Sequence, residues 1–359
     1  MISFLDLKKI NQHYETAFQE KLKSVLENGW YILGNEIKAF EGNFAEYTNS
    51  KYCIGVGNGL DAITLSLLAY IENGNLQKGD EVIVPANTYI ASILGILHAG
   101  LVPVLVEPDL ETFNIDPNLI EEKITSKTKV ILIVHLYGQL ADMDAIIEIG
   151  LKHNLLIVED CAQAHGLEFK GSHTRTFSFY PGKNLGALGD GGAVVTNDEK
   201  LVATLRKIRN YGSEKKYHNE SIGFNSRLDE LQAAFLNCKL KNLNEDNEKR
   251  RFVANRYLSE IKNDKIILPK CTDIKSHVFH LFVIRSKERD RLQDYLAKNN
   301  IETLIHYPVP PHKQKALSDW NNLSFPISEQ IHDEVLSLPM SPVLTDDEID
   351  KVVKLVNMY

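Results

Sequence analysis

Between residues 81 and 196 the sequence repeats one pattern, a short unbroken run of Val, Ile and Leu followed by a helical stretch. The runs are Glu81-Val82-Ile83-Val84, Val102 to Val106, Val130 to Val134 and Leu155 to Val158. Helical periodicity fills Ile90 to His98 and Met143 to His153 between them. A strand that is apolar at every position has no face to offer water, so it belongs in a sheet covered on both sides. Strands separated by helices pair in parallel. The expected class is therefore α/β, a mostly parallel central sheet with helices on both faces. Two more strands, Phe177 to Tyr180 and Gly192 to Thr196, close this part of the chain. A helix with few breakers is expected from Leu228 to about Ile261. The remaining chain mixes a strand (Val278 to Ile284), a helix (Glu288 to Lys298) and a closing helix after Thr345. This divides the chain into a large α/β domain with an N-terminal arm, residues 1–250, and a smaller α+β domain, residues 251–359.

With 359 residues the chain can bury a large core without disulfides or a structural metal. Lys plus Arg number 40 against 48 Asp plus Glu, a formal charge of −8. That disfavours a nucleic-acid or anionic-membrane binder, whose affinity rests on a basic face. It leaves room for an anionic small substrate in a local positive pocket. Cys53, Cys161, Cys238 and Cys271 form no CxxC, so neither a metal site nor a disulfide framework is expected. The N-terminus lacks the charged-then-apolar order of a signal peptide, and the apolar stretch from Tyr89 to Val106 is broken by His98, Gly100 and Pro103. A cytoplasmic enzyme is the expectation.

Three segments carry candidate chemistry. Gly55-Val56-Gly57-Asn58-Gly59 is no dinucleotide fingerprint, because Leu60 stands where GxGxxG needs its last glycine. It is a glycine-rich turn opening a helix from Leu60 to Tyr70, either a simple turn or a phosphate cradle of free N–H groups at the positive helix end. Asp160 ends a strand, where open α/β sheets place ligands, and Glu159 must point to the other face. The same pair would also suit an acidic surface. Lys183 lies in Pro181-Gly182-Lys183-Asn184-Leu185-Gly186, with Gly189, Gly191 and Gly192 close behind. Desolvation in such a loop would lower its pKa and suit it to Schiff-base chemistry, although most loop lysines are solvated. Tyr89, just past a strand, could stack on a planar ring or fill core. The proline-stiffened run from His306 to His312 presents His306, Tyr307 and His312 or simply joins two domains. Arg206, Lys207 and Arg209 are candidate diphosphate ligands or a solvated helix face.

A lysine, a strand-end acid and a phosphate cradle together are what pyridoxal 5′-phosphate requires. The blocks Asp160-Cys161-Ala162-Gln163-Ala164-His165-Gly166 and Ser178-Phe179-Tyr180-Pro181-Gly182-Lys183-Asn184-Leu185-Gly186 resemble the DegT/DnrJ/EryC1/StrS sugar aminotransferases. The likeness extends from Phe4-Leu5-Asp6-Leu7 and Gly29-Trp30-Tyr31-Ile32-Leu33-Gly34 to the His306–His312 run. It implies the aspartate-aminotransferase fold (fold type I), a homodimer with shared active sites, and pyridoxal phosphate as cofactor. By the same resemblance Lys183 would form the Schiff base, Asp160 would pair with the pyridine nitrogen and Gln163 would approach the phenolic oxygen. Tyr89 would stack on the ring. Gly59, Leu60, Asp61 and Ser178 would hold the phosphate, with Asn225 reaching it from the partner subunit. Many relatives have Ser-Gly-Thr at the phosphate turn. Here it is Asn58-Gly59-Leu60-Asp61, which requires the Asp61 carboxylate to face away. The variant turn and the His306–His312 run are similar to the subgroup that aminates dTDP-linked 3-keto-6-deoxyhexoses at C-3 with L-glutamate, in polysaccharide (O-antigen) or glycoside biosynthesis. His306, Tyr307 and His312 would then touch the sugar nucleotide. A C-4 aminotransferase, a sugar dehydratase (in which histidine replaces the lysine) and a non-catalytic regulatory protein are the alternatives.

Overall fold

Seven strands build the central sheet of the computed structural model, which describes every residue except Lys216 and Thr272. They are β1 (Tyr52–Val56), β2 (Glu81–Pro85), β3 (Val102–Val106), β4 (Thr128–Val134), β5 (Leu156–Asp160), β6 (Thr174–Ser178) and β7 (Gly192–Thr196). Their order is β1-β7-β6-β5-β4-β2-β3, parallel except that β7 runs antiparallel to both of its neighbours.

Three helices near the N-terminus, α1 (Leu7–Gln12), α2 (Glu15–Asn28) and α3 (Asn35–Tyr47), precede the sheet. Helices α4 (Gly59–Glu72), α5 (Ile90–His98), α6 (Met143–His153) and α7 (Glu199–Ile208) alternate with its strands. A short hairpin, β8 (Ser213–Lys215) and β9 (His218–Asn219), leads to α8 (Glu230–Leu240) and α9 (Leu243–Glu260).

The unbroken apolar runs have the explanation the sequence demands. Alternate residues of one strand enter opposite cores. Val82, Val84, Val130, Leu132 and Val158 pack with Ala62, Ile63, Ile93, Ile96 and Leu205 of α4, α5 and α7. Ile83, Ile131, Ile133 and Ile157 pack on the other face with Met143 and Ile146 of α6. Farther along that face Cys53, Phe177, Ala193 and Val195 meet Phe40 and Phe44 of α3 and Leu236 of α8.

A further core lies beyond α8. It joins Val253 and Tyr257 of α9 to β10 (Phe282–Arg285), α10 (Arg289–Lys298), β11 (Val335–Leu338) and α12 (Asp346–Met358). Helix α11 (Pro326–Glu334) precedes β11. Ile2, from the other end of the chain, enters this core as well. Thr345 and Glu348 form a reciprocal cap at the start of α12.

Three expectations need correction. The helix expected from Leu228 to about Ile261 is two helices, α8 and α9, broken at Lys241 and Asn242 with no proline or glycine. Packing makes the break: α8 is buried on nearly every side between α2 and α3, while α9 leaves to line the second core. Strand β6 begins at Thr174, earlier than Phe177, and ends at Ser178. Its polar start is tolerated because Arg175, though buried, reaches the Thr48 carbonyl (3.1 Å) and Ser50 (2.6 Å). The strand expected from Val278 is confined to Phe282–Arg285. Val278 and Leu281 instead donate their amides to Gly138 and Tyr137, bracing a turn of the active site.

Helix α3 has no cap from its own N-cap residue. The Glu230 carboxylate, 1% exposed, supplies one from α8, accepting from the amides of Gly34 (2.7 Å), Glu36 (2.9 Å) and Ile37 (3.1 Å). Negative charge at a helix start offsets the dipole and fills orphan donors. Glu230→Ala is expected to cost about 2–4 kcal/mol by leaving three buried donors unmet, measured by chemical denaturation against the wild type.

Candidate active site

The period of two along the strands decides which side chains meet. Asp160 follows Glu159 on β5, so the two leave on opposite faces, and both are buried rather than forming a surface pair. Glu159 Oε2 meets His135 Nε2 at 2.6 Å on the α6 side. Asp160 faces α5. Its Oδ2 accepts the Ser92 hydroxyl at 2.7 Å and its Oδ1 the Ala162 amide at 3.0 Å. Because Ser92 donates its one proton to Asp160, the 2.8 Å contact between Thr88 and Ser92 must have Thr88 as donor. Burial pushes the Asp160 carboxyl upward, while the bonds from Ser92 and Ala162 and the charge of Lys183 pull it back.

Lys183 sits in the loop after β6. Its amide bonds the Tyr180 carbonyl at 2.8 Å, and no hydrogen bond or ion pair among the described residues holds its ammonium. Burial lowers its pKa from 10.5 to about 8, with Asp160 acting in the opposite direction. A neutral, unencumbered amine near pH 8 is what a lysine nucleophile toward a carbonyl requires.

Ser178, two residues after Thr176 and therefore on the Asp160 face, lies against the start of α4. A Cβ on Gly59 would stand 2.7 Å from Ser178 Cβ, so only glycine lets the two segments approach. Asn58 Oδ1 caps α4 by accepting from the Asp61 amide at 2.8 Å. The Asp61 amide is thus spent within the chain, unlike the amides of Gly59 and Leu60 beside it. The Asp61 carboxylate is engaged by the Ser226 hydroxyl at 2.6 Å, and Ser226 Oγ in turn accepts from the Gly57 amide at 2.9 Å. Asn225, next to Ser226, is exposed.

A second wall comes from the His306–His312 run. The Tyr307 hydroxyl accepts from Gln163 Nε2 at 3.0 Å, and the Tyr307 ring packs on Tyr89 with centroids 5.0 Å apart. Tyr89 keeps 51% of its surface exposed, so one side of its ring is open. His306 Nδ1 pairs with Ser337 Oγ at 2.8 Å, and burial together with Lys183 lowers its pKa to about 4, leaving it neutral. His312 does not join this wall. It is fully buried, pairs with Glu329 at 2.9 Å and packs on Phe325, and so braces its own loop instead of facing a ligand. The suggested diphosphate cations are also engaged elsewhere. Arg209 is buried on Glu41 and the Gly55 carbonyl, Lys207 pairs with Glu72 at 2.7 Å, and Arg206 is exposed on α7.

Tyr137 belongs to the site without having been singled out by the sequence. Its amide donates to Gln163 Oε1 at 2.5 Å and its hydroxyl to the His306 carbonyl. Its φ of +60° on a bulky residue marks a held conformation, but no sequence pattern announces it. Thr88, just before α5, and Ser92, in its first turn, lie four residues apart and are detectable in principle. The group as a whole fits pyridoxal phosphate: an amine, an acid on the same face, an exposed aromatic and a cradle that a single Cβ would fill.

The sequence matches the DegT/DnrJ/EryC1/StrS aminotransferase family model over residues 12–357, and the chain belongs to that family. It is 60% identical to the dTDP-3-amino-3,6-dideoxy-alpha-D-galactopyranose transaminase of Aneurinibacillus thermoaerophilus, covering 100% of this chain and 99% of that protein. It is 45% identical, over 98% of each chain, to the erythromycin biosynthesis sensory transduction protein EryC1 of Saccharopolyspora erythraea. Among solved structures, S. venezuelae DesV in complex with a ketimine intermediate superposes with a TM-score of 0.95 at 43% identity, covering 99% of this chain and 97% of that one. The fold is that of this aminotransferase class, as expected.

Gly59→Ala is expected to push Ser178 out of the cradle. Losing one phosphate donor should weaken cofactor retention about ten- to a hundredfold, read by equilibrium dialysis against free pyridoxal phosphate.

Proposed function

We propose that this protein transfers the amino group of L-glutamate to C-3 of a dTDP-linked 3-keto-6-deoxyhexose, releasing 2-oxoglutarate and the 3-amino-3,6-dideoxyhexose. What supports this is the buried Lys183 amine with Asp160 and the close approach of Gly59 to Ser178, in a chain 60% identical to a dTDP-3-amino-3,6-dideoxy-alpha-D-galactopyranose transaminase. That relative also makes the galacto sugar our preferred substrate. Lys183 in place of histidine argues against a dehydratase, and the intact set of site residues argues against a purely regulatory protein.

Pyridoxal phosphate, when bound, supplies an electron sink for the carbon that bears the migrating nitrogen. The chain's own groups do the rest. Asp160, oriented by Ser92 and Ala162, would pair with the protonated ring nitrogen, whose positive charge would favour the carboxylate against the upward push of burial. Gly59, Leu60 and Ser178 bind the phosphate, joined in our reading by Asn225 of a second copy. Tyr89 would cover one ring face and Gln163 would approach the ring edge, the latter steadied by Tyr137 and Tyr307. Lys183, an amine neutral above about pH 8, would remove and return the proton that the transfer requires. His306 and Tyr307 are our candidates for contact with the sugar.

Exposed apolar side chains support a homodimer. Trp30 is 60%, Ile222 95% and Phe224 41% exposed, on segments that flank Asn225 or, through the Ile32–Asp229 bridge, approach it. No helix among the described residues is long and apolar enough to cross a membrane, and we place the enzyme in the cytoplasm.

The amine-loaded protein should convert dTDP-3-keto-6-deoxygalactose in a single turnover faster than its gluco epimer, with nitrogen at C-3 by NMR. Nitrogen appearing at C-4 of a 4-keto substrate would overturn the assignment. Lys183→Ala should lower the rate of amino-sugar formation at least a thousandfold, about the scale of losing a catalytic acid–base group. Cofactor loading has a definite pH sign. Protonation removes the nucleophile, so the loading rate should climb with pH and level off above about 8, as followed by visible absorbance.

A further inference from the structure

Lys239 is a second buried lysine near the site, and the chemistry above does not use it. It is 5% exposed on α8, and burial lowers its pKa to about 8 against the opposing charge of Asp246. A buried ammonium is costly to desolvate, and a methionine would fill the same space without that cost. The hydrogen bonds it makes therefore need a reason. Its Nζ donates to the Gly186 carbonyl at 2.6 Å and to Asn11 Oδ1 of α1 at 3.2 Å.

Gly186 lies three residues past Lys183 in the loop between β6 and β7. That loop is closed on itself: the Ala187 amide bonds the Phe179 carbonyl at 2.8 Å, and a Cβ at Gly186 would meet Pro181 O at 2.2 Å. Internal closure gives the loop its shape but does not set its position relative to β5. External anchors do that, among them the Leu188 amide, which donates to Gln232 Oε1 of α8 at 2.8 Å. Asn184 bonds Asn247 (2.9 Å), the Val278 carbonyl (3.2 Å) and His280 (3.2 Å) on one side. Lys239 holds Gly186 on the other. The Lys183 side chain, between the anchors, has no hydrogen-bond partner among the described residues.

We propose that Lys239 is a positioning residue, whose grip on the Gly186 carbonyl sets the loop so that the amine of Lys183 faces Asp160 and stays out of water. The inference rests on the aminotransferase reading for its meaning, but its geometry can be tested without cofactor.

The test compares wild type with Lys239→Met. In the apoprotein, Lys183 is acylated by an amine-selective reagent across a pH series and the product mapped by mass spectrometry. In the cofactor-loaded protein, kcat and KM for glutamate are measured. The variant should keep the wild-type circular dichroism spectrum. The labelling midpoint of Lys183 should rise from about 8 by roughly one pH unit as water gains access. kcat should fall about tenfold or more through misplacement of the amine, with KM for glutamate within about twofold. Should Lys239→Met fail to fold, Asn11→Ala decides the question: it removes one of the two partners of the ammonium, and the midpoint should move the same way by a smaller step. An unchanged Lys183 midpoint in the folded variant overturns the proposal, whatever happens to kcat. A wild-type protein that shows the Lys183 midpoint near 8 but never binds pyridoxal phosphate would overturn the aminotransferase reading alone.

Discussion

The double burial of the central sheet is the constraint on which the rest of the structure depends. Because β2, β4 and β5 are apolar toward both layers, polar chemistry is excluded from the strand interiors and collects at their carboxyl ends. Asp160, His135 and the Asn87–Tyr89 segment all lie at such ends. Strand alternation then separates them, sending Asp160 toward Ser92 and Glu159 toward His135. Asp160 and Ser178 emerge together on one face of that sheet end.

Burial also sets the electrostatics. It raises the carboxyl of Asp160 and lowers the ammonium of Lys183, so each is drawn toward its neutral form while its charge favours the ionised form of the other. Such a pair is poised for a ligand that brings both a positive nitrogen and a carbonyl. His306, held neutral by the same desolvation, adds no competing charge. The loop bearing Lys183 is meanwhile tied at Asn184 and Gly186 from α8, α9 and the segment before β10.

Much of this architecture is legible in the sequence. The strands Val102–Val106 and Gly192–Thr196 and the helices Ile90–His98 and Met143–His153 follow from runs and periodicity. Strand β1 does not, because Gly55 and Gly57 read as a turn and its partner β7 lies far along the chain. His312 is a ligand candidate by family resemblance, yet Glu329 holds it inside. Arg209 reads as a surface cation, yet Glu41 and the Gly55 carbonyl bury it. In each case the deciding partner is remote in sequence, and no local pattern encodes it.

By itself, then, the sequence determined the class of sheet, the family and the two blocks that carry Asp160 and Lys183, because these depend on local periodicity and on residues close together in the chain. Tertiary structure alone decided where α8 gives way to α9 and which histidine faces the site. It also decided that Tyr137 steadies Gln163 and that Lys239 grips the lysine loop. Those outcomes rest on hydrogen bonds between segments brought together only when both faces of the sheet are covered.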